Sequence, residues 1–294
     1  MTLYSHSRLE AFEQCRYRYK LRYIDKVPSP VKKSVEAHLG ECVHDALEWF
    51  YKNIMDGKTP TVDELIGWYS VDWQKKDTDE IVIVRDLSKR DYFNKGVKFL
   101  IDYYMKNQPF EDGTIETEKK IWINLEKNFP HKVIGYIDRL VYNKEKGTYE
   151  IHDYKTANTL PDKSKFQKDR QLALYSIAVK ELYGDKPVSL IWHYLNYNMK
   201  IISSRTSEQL EKLKRDTVEL INKIEVTNDF PTNKSVLCNW CEYKQYCKAW
   251  GNSLPPEFVK DEKPENIEKN KEEAEKLEAE AKRNFPTLSK YLKD

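Results

Sequence analysis

Apolar residues recur every three or four positions through much of the first third of the chain. Over residues 40–55, Val43, Leu47, Phe50 and Ile54 form one stripe, which is the spacing of an amphipathic helix. The same periodicity predicts further helices over 5–24, 61–75 and 86–106. The first third of the chain is therefore expected to be mostly helical.

The period then changes from three or four to two. Alternating segments rich in β-formers cover 115–125, 132–142 and 148–156, with a turn at 143–147 between the last two. A helix at about 165–183, a strand at 187–197 and a helix at about 207–225 are predicted to follow. This order predicts an α/β fold with a mixed central sheet flanked by helices.

Composition narrows the class of protein only a little. The chain has 294 residues, with 50 Lys plus Arg against 48 Asp plus Glu, so the overall charge makes no case for nucleic-acid binding. No apolar run approaches the roughly 18 residues of a membrane span, and the first residues lack the apolar core of a signal peptide. A cytoplasmic protein with reduced thiols is expected.

The character of the chain shifts again after Trp250, where Lys, Glu, Asp and Asn dominate. Residues 264–283 have little apolar surface to bury and are predicted to form an exposed helix or a disordered tail. We therefore predict a domain over 1–252, with a helical insertion at about 56–110, and a charged tail over 253–294.

Two carboxylates and a lysine form the central candidate for chemistry. Residues two apart on a strand share a face, so Asp153 and Lys155 project together while His152 and Tyr154 point to the other side. If the strands at 132–142 and 148–156 pair, Asp138 lies beside Asp153. A salt bridge between neighbouring strands is one interpretation. A divalent cation held by the carboxylates, with the lysine orienting water, is the other.

Four of the five cysteines are candidate ligands of a second centre. Cys238, Cys241 and Cys247 follow a C-x2-C-x5-C spacing, and Cys15 is the candidate for the fourth ligand. Such a set suits zinc or an iron–sulfur cluster, and would join the two ends of the chain. Cys42 stands two residues before His44 and is either half of a metal pair or, as most free cysteines are, a buried thiol.

Two basic patches are candidates for nucleic-acid binding. Residues 16–26 interleave basic side chains with tyrosines, which suits phosphates and unpaired bases but equally suits a solvated helical face. Lys163, Lys165, Lys168 and Arg170 precede Gln171, beside the proposed catalytic residues. We expect this second patch to contact DNA.

Taken in order, these patterns resemble the RecB-type branch of the PD-(D/E)XK nuclease superfamily, over about residues 4–250. That branch carries G-x-x-x-H on a helix, G-x-x-D-R on a strand, D-x-K on the next strand and Q-x-x-x-Y on a helix. The matching residues are Gly40 and His44, then Gly135, Asp138 and Arg139, then Asp153 and Lys155, then Gln171 and Tyr175. The branch often has proline after the first cysteine, where this chain has Arg16.

The resemblance implies a restriction-endonuclease-like core and a role for each matching residue. It implies that Mg²⁺ or Mn²⁺ is bound by His44, Asp138, Asp153 and the backbone carbonyl of Tyr154. It implies that Lys155 activates water, Gln171 orients Lys155 or the phosphate, and Tyr175 contacts the DNA backbone. Arg139, Lys165, Lys168 and Arg170 are expected to bind DNA. A [4Fe–4S] cluster is implied at Cys15, Cys238, Cys241 and Cys247, with zinc as the alternative.

The expected function is that of a metal-dependent DNA nuclease, specifically an exonuclease on single-stranded DNA or DNA ends. The setting is repair and recombination, phage replication or CRISPR adaptation, and a helicase or integrase is a conceivable partner. The chain itself lacks the phosphate-binding loop of a helicase. The rival interpretation is a non-catalytic iron–sulfur subunit that binds DNA within a helicase–nuclease or integrase complex.

Overall fold

The computed structural model of the protein describes residues 1–31, 33–84, 87–111 and 113–259, with only the backbone described at Lys163. The chain forms two compact units. Of the described residues, the first combines 1–7 with those between 30 and 217, and the second combines 8–29 with 218–259.

The elements follow one another in a helical and then a mixed order. Up to the sheet they are β1 (Leu3–Ser5), α1 (His6–Gln14), α2 (Arg16–Tyr19), β2 (Lys33–Ser34), α3 (Val35–Met55), α4 (Val62–Lys76), β3 (Ile81–Val82) and α5 (Lys89–Asn107). They continue as β4 (Thr114–Ile123), β5 (Lys132–Asn143), β6 (Thr148–Lys155), α6 (Lys163–Lys168), α7 (Gln171–Tyr183), β7 (Val188–Tyr194), β8 (Met199–Ser204) and α8 (Ser207–Glu225).

The predicted fold class is confirmed, but two of the predicted helices are interrupted in the structure. The helix expected over 5–24 is interrupted because Cys15 adopts an extended backbone between α1 and α2. The helix expected over 165–183 is interrupted before Gln171, where a carboxylate oxygen of Asp169 accepts the backbone N–H of Leu172 and starts α7 afresh. The short strands β1, β2, β3 and β8 were not predicted.

The central sheet is mixed, and β5 organises it. In hydrogen-bonded order the strands are β1, β5, β6, β7 and β8, and β4 also pairs with β5. Strand β4 pairs along one edge of β5. Two other strands divide the opposite edge of β5 between them. There β1 pairs with residues 132–134 and β6 pairs with residues 139–143. Residues 135–138 of β5 thus lie between the ends of two different neighbours.

Helices α3, α4 and α5 pack together through an apolar cluster that includes Tyr154 of β6. The Ser34 hydroxyl caps α3 by accepting the N–H of Ala37. Capping boxes start α4 at Thr61 and α5 at Ser88. Helix α7 instead contacts β4, β6 and β7. These contacts give the sheet its flanking helices.

The second unit has a small core of its own. Leu21, Val27 and Tyr243 are buried together, and the hydroxyl of Tyr243 donates a 2.8 Å hydrogen bond to the carbonyl of Val27. Arg18 pairs with Glu242 at 3.0 Å. The predicted boundary at residue 252 falls within this unit and stays a prediction, as does the helical insertion. The predicted tail element at 264–283 lies outside the described residues. Within the described part of the chain, no helix is long and apolar enough to cross a membrane.

Candidate active site

The site forms where the ladder between β5 and β6 ends. The last paired residues are Arg139 and His152. One residue earlier, the Asp138 side chain continues the connection, because its Oδ2 accepts the backbone N–H of Tyr154 at 2.9 Å. Asp138 is therefore fixed to the strand that carries Asp153. The two strands pair, which is the condition under which the sequence placed Asp138 beside Asp153.

Helix α3 brings a histidine to the same point. Nε2 of His44 lies 2.7 Å from the carbonyl oxygen of Tyr154, and Nδ1 lies 3.4 Å from Oδ2 of Asp138. One turn earlier, a Cβ placed on Gly40 would lie 3.3 Å from the hydroxyl of Thr156. Glycine at this position lets the helix approach the end of β6 closely.

Glu118 is a site residue that sequence reasoning missed. It lies in β4 with a left-handed backbone, φ 45°. One ligand atom from each of His44, Glu118 and Asp138 lies within 4.8 Å of the others, which is close enough for a shared ion. In the sequence Glu118 stands among charged residues of an alternating strand. Only the register of β4 against β5, with Thr117 opposite Arg139 and Lys119 opposite Ile137, brings it to Asp138.

The electrostatics of this group favour a cation. Burial, reinforced by the charge of Asp138, raises the pKa of Glu118 to about 7. Burial also raises the pKa of Asp138 to about 6, with the charge of Asp153 adding to it and His44 opposing it. Burial acts against the charged form of His44, but Asp138 and Asp153 outweigh it and raise the pKa of His44. Crowded carboxylates of this kind fit a divalent ion, so the donor set suits Mg²⁺ or Mn²⁺.

Lys155 is held in a chain of polar contacts that ends on α7. Its Nζ lies 2.8 Å from Oδ2 of Asp153 and donates to Oε1 of Gln171 at 3.3 Å. Gln171 in turn donates to the hydroxyl of Tyr175 at 3.3 Å. Burial opposes the charge on Lys155, but Asp153 outweighs it and raises the pKa of the lysine. Lys155 is thus a cation, suited to orienting water and stabilising negative charge rather than to removing a proton.

Gly135 makes room for the last member of this chain. A Cβ at Gly135 would lie 2.2 Å from the ring of Tyr175, and the backbone of Tyr136 hydrogen-bonds the Tyr175 hydroxyl. The Tyr175 side chain therefore lies against β5 in the stretch between its β1 and β6 partners. The glycine of the G-x-x-D-R pattern thus provides the space in which the tyrosine of the Q-x-x-x-Y pattern packs.

The expectation that Arg139 binds DNA is wrong. Arg139 is only 2% exposed. Its Nε donates to the hydroxyl of Tyr154 at 2.8 Å, another guanidinium nitrogen lies 2.8 Å from Nδ1 of His152, and the group stacks on the Tyr51 ring at 4.0 Å. Its partners on β6 are the two residues predicted to point away from Asp153. Arg139 instead lies among buried side chains on the face of the sheet opposite Asp153.

The second basic patch remains a candidate for DNA contact. Lys165 and Lys168 are exposed on α6, while Arg170 is half-buried just before Gln171. The roles expected for these three residues stay predictions. In the first patch, Arg18 and Arg22 both pair with Glu242, and Lys20 pairs with Asp25. Much of its charge is therefore matched within the second unit.

The four candidate cluster ligands line one cleft of the second unit, and all five cysteines of the chain carry free thiols. Cys238 accepts a 3.4 Å hydrogen bond from the backbone N–H of Ser235. Sulfur donors suit an iron–sulfur cluster or zinc. Among the described residues, however, the sulfur atoms of these cysteines are not gathered within 4.8 Å of one another as the ligand atoms of His44, Glu118 and Asp138 are. Cys42 is different: it is buried beside His38, at 3.8 Å from Nδ1, and burial raises its pKa to about 12. The interpretation of Cys42 as a buried thiol is confirmed.

A mixed sheet that gathers acidic groups, a histidine and a lysine where its strands diverge defines a protein suited to metal-assisted hydrolysis. A family model for the PD-(D/E)XK nuclease superfamily matches residues 3–248. The chain therefore belongs to the PD-(D/E)XK nuclease superfamily, whose members hydrolyse phosphodiester bonds.

Two solved structures show a distant likeness to this chain. The structure of the Eubacterium rectale protein named "Putative exonuclease" is 14% identical, with a TM-score of 0.48, over 81% of this chain and 86% of that one. The structure of SSO0001 is 14% identical, with a TM-score of 0.36, over 72% of this chain and 94% of that one. A comparison with curated proteins finds no match.

Proposed function

We propose that the protein is a metal-dependent deoxyribonuclease of the RecB type that hydrolyses single-stranded DNA or DNA ends. The observation that carries this proposal is the meeting of His44, Glu118 and Asp138 beside Asp153 and Lys155. A group that binds DNA without cutting it has no need to bury a lysine against a carboxylate next to such a site. Family membership supports phosphodiester hydrolysis, and the choice of DNA substrate is the finer part of the proposal.

Each side chain has a defined task in this reaction. His44, Glu118, Asp138, Asp153 and the carbonyl of Tyr154 would hold Mg²⁺ or Mn²⁺, and a histidine among the ligands favours Mn²⁺. When bound, the ion supplies a Lewis acid and lowers the pKa of a water ligand. Lys155 orients the attacking water and stabilises the negative charge on the phosphoryl group. Gln171 holds Lys155 in position, and Tyr175 holds Gln171.

The DNA itself is proposed to lie near the start of α7. Lys165 and Lys168 are exposed there and would pair with phosphates, and Arg170 adjoins Gln171. Partner proteins of the helicase or integrase class remain part of the proposal only as suppliers of DNA ends.

The cysteine cleft is proposed to hold a [4Fe–4S] cluster with a structural role. Its support is that Cys15, Cys238, Cys241 and Cys247 line one cleft with free thiols. Apolar and aromatic neighbours, among them Leu21, Leu237 and Trp250, also line it. A cluster here would join the chain segment near residue 15 to the segment after residue 235.

Cleavage assays with matched variants test the catalytic proposal. The wild type is incubated with single-stranded DNA and Mg²⁺ or Mn²⁺, beside Lys155→Met and Asp153→Asn. We expect each variant to lose activity by about 10²-fold or more. Lys212→Met and Asp216→Asn change an exposed ion pair on α8 and serve as controls that keep full activity. A wild type that binds DNA but is inert with both metals would support the non-catalytic subunit instead.

Metal analysis tests the cluster. We expect anaerobically purified protein to be brown and to contain iron and acid-labile sulfide. Cys247→Ala should lose both, whereas Cys42→Ala, which removes a thiol outside the cleft, should keep them. A colourless wild type with stoichiometric zinc would show that the site holds zinc. Iron in Cys247→Ala at wild-type level would show that the cleft is not the cluster site.

A further inference from the structure

Two large aromatic rings are exposed on the sheet close to the candidate metal site. Trp122 on β4 is 46% exposed and Tyr136 on β5 is 49% exposed. Isolated exposed rings are common, but neighbouring ones that extend from a functional site mark a surface that binds something. Neither ring belongs to the patterns that define the nuclease family.

The strand register places these rings in line with Asp138. Side chains two apart on a strand leave the same face, so Ile134 and Tyr136 share one face of β5, and Asp138 follows two residues further along that strand. Lys120 lies opposite Tyr136, and Trp122 lies opposite Ile134. Cross-strand neighbours share a face, so both belong to the same surface. We call Lys120, Trp122, Lys132 and Tyr136 the aromatic stripe.

The stripe has the length of a short piece of DNA. A strand rises about 3.3–3.4 Å per residue, so Tyr136 lies about 7 Å from Asp138 and the Ile134–Trp122 row lies about 13 Å from it. A nucleotide in a duplex rises 3.4 Å along each strand and an unstacked strand is longer, so 13 Å corresponds to about two to four nucleotides.

The stripe also carries the charge that a DNA backbone requires. The ammonium groups of Lys120 and Lys132 lie 5.2 and 5.3 Å from the centroid of the Trp122 ring. Both lysines are exposed. A base that stacks on Trp122 would displace one of these ammonium groups, which is then free to pair with a phosphate. Alternating rings and lysines match a single strand, whose bases are unpaired, better than a duplex, whose bases are covered.

From this geometry we infer that the aromatic stripe binds single-stranded DNA two to four nucleotides from the phosphate that is cleaved. Tyr136 and Trp122 stack on successive bases, while Lys120 and Lys132 neutralise the backbone. This inference rests on the proposed nuclease function, to which it adds a preference for an unpaired strand on one side of the cut.

DNA-binding measurements without metal test the stripe independently of cleavage. Fluorescence anisotropy in EDTA compares a labelled single-stranded oligonucleotide with its duplex. We expect Trp122→Ala and Tyr136→Ala each to raise the Kd for the single strand on the order of tenfold, with the duplex Kd unchanged. Trp122→Phe keeps a stacking surface and should bind within a few-fold of the wild type. Replacing the stacked bases by abasic sites should remove most of the effect of Trp122→Ala.

The lysines have a control matched in charge. Lys120→Ala with Lys132→Ala should weaken single-strand binding and reduce its dependence on salt. Lys98→Ala with Lys212→Ala removes two exposed charges from helices α5 and α8 and should change neither.

Two results would overturn the inference. One is an unchanged single-strand Kd in the Trp122→Ala, Tyr136→Ala double variant, which is also the result expected if the stripe contacts a protein. The other is an equal loss of single-strand and duplex binding. Failure of the nuclease proposal looks different: the wild type would cut no DNA with Mg²⁺ or Mn²⁺, whatever the stripe variants bind.

Discussion

The ring nitrogen Nε2 of His44 lies 2.7 Å from the carbonyl oxygen of Tyr154, 110 residues further along the chain. This distance requires an N–H on Nε2 that donates to the carbonyl. On the other side of the ring, Nδ1 faces Oδ2 of Asp138 at 3.4 Å. Burial opposes the charged form of His44, but the charge of Asp138 outweighs it and raises the pKa of the histidine. Burial raises the pKa of Asp138 to about 6, with the charge of His44 opposing the shift. The candidate metal ligands thus hold one another in place before any ion arrives.

Removal of this histidine should weaken metal binding more than it weakens the fold. We expect His44→Ala to bind Mn²⁺ at least about tenfold more weakly, because a ligand is lost and Asp138 loses its partner. Isothermal titration calorimetry in the absence of DNA measures the affinity, and circular dichroism verifies the fold. Wild-type affinity in the variant would remove His44 from the ligand set.

Glu118 offers a comparison within one strand. Glu118→Gln should lower Mn²⁺ affinity about tenfold or more, since it deletes a charge that faces the site. Glu116→Gln, two residues earlier on β4, changes a carboxylate that pairs with Lys119 and Tyr183 instead. The Glu116 variant should keep wild-type metal affinity. Equal effects of both variants would show that general charge, rather than ligation by Glu118, is responsible.

Gly135 and Gly67 make a second matched pair. Gly135→Ala places a methyl group against the Tyr175 ring. We expect the displaced ring to release Gln171 and Lys155, which lowers kcat about tenfold or more with little change in KM. Gly67 lies in α4 with open space around its Cβ position, so Gly67→Ala should leave kcat unchanged and stabilise the protein by about 0.5–1 kcal/mol. Full activity in Gly135→Ala would show that Tyr175 has no positioning role.

Arg139 should matter for stability rather than for DNA affinity. Arg139→Met leaves His152 and the hydroxyl of Tyr154 without their buried partner, which is expected to lower the free energy of unfolding by about 3–5 kcal/mol. Arg90 is exposed on α5, and Arg90→Met should change it by no more than about 0.5 kcal/mol. Urea denaturation measures both. A stable Arg139→Met variant with weakened DNA binding would restore the DNA-contact role.

Buried histidines should make the fold sensitive to acid. Burial, with the neighbouring His152 and Arg139 adding to it, lowers the pKa of His193 well below its usual value. Below about pH 6.5 the unfolded chain then binds a proton that the folded chain refuses, so stability falls as pH falls, by up to about 1.4 kcal/mol per pH unit for this histidine. His193→Gln should reduce the difference in unfolding free energy between pH 7.5 and pH 5.5 by about 1.4 kcal/mol.

Raised carboxyl pKa values act in the opposite sense. Glu118 and Asp138 bind protons more readily in the folded protein than in the unfolded chain. Protonation of these two groups therefore favours the folded protein as pH falls. For that reason the comparison of His193→Gln with the wild type is more informative than the wild-type curve alone. An identical pH difference in the two proteins would show that His193 does not control the acid response.

The residues that could be predicted are those whose position follows from local periodicity. Asp153 and Lys155 share a face because strand alternation requires it, and Val43, Leu47 and Phe50 are buried because their spacing forms one side of a helix. The position of Asp138 beside Asp153 could be predicted because a short turn joins β5 to β6 and so pairs the two strands. In each case the necessary information lies within a few dozen residues of sequence.

The residues that could not be predicted depend on contacts between distant segments. Glu118 reaches the site because its own backbone is left-handed and because of the register of β4 against β5. β1 is three residues long, too short for a period, and β8 is a largely exposed strand without a continuous apolar side. Arg139 is buried because aromatic and histidine partners from other elements compensate its charge, which no local pattern reveals.

The candidate site draws its residues from α3, β4, β5, β6 and α7, so none of it exists until the last of these elements has been made. The ribosome adds about 5–20 residues per second, and the interval between the synthesis of His44 and that of Tyr175 is therefore on the order of ten seconds. A nascent chain that already contains the histidine lacks the carboxylates, and one that contains the carboxylates still lacks the support for the lysine. The wide spacing of the site along the chain thus delays its completion: prematurely terminated chains that end before α7 should lack any assembled site.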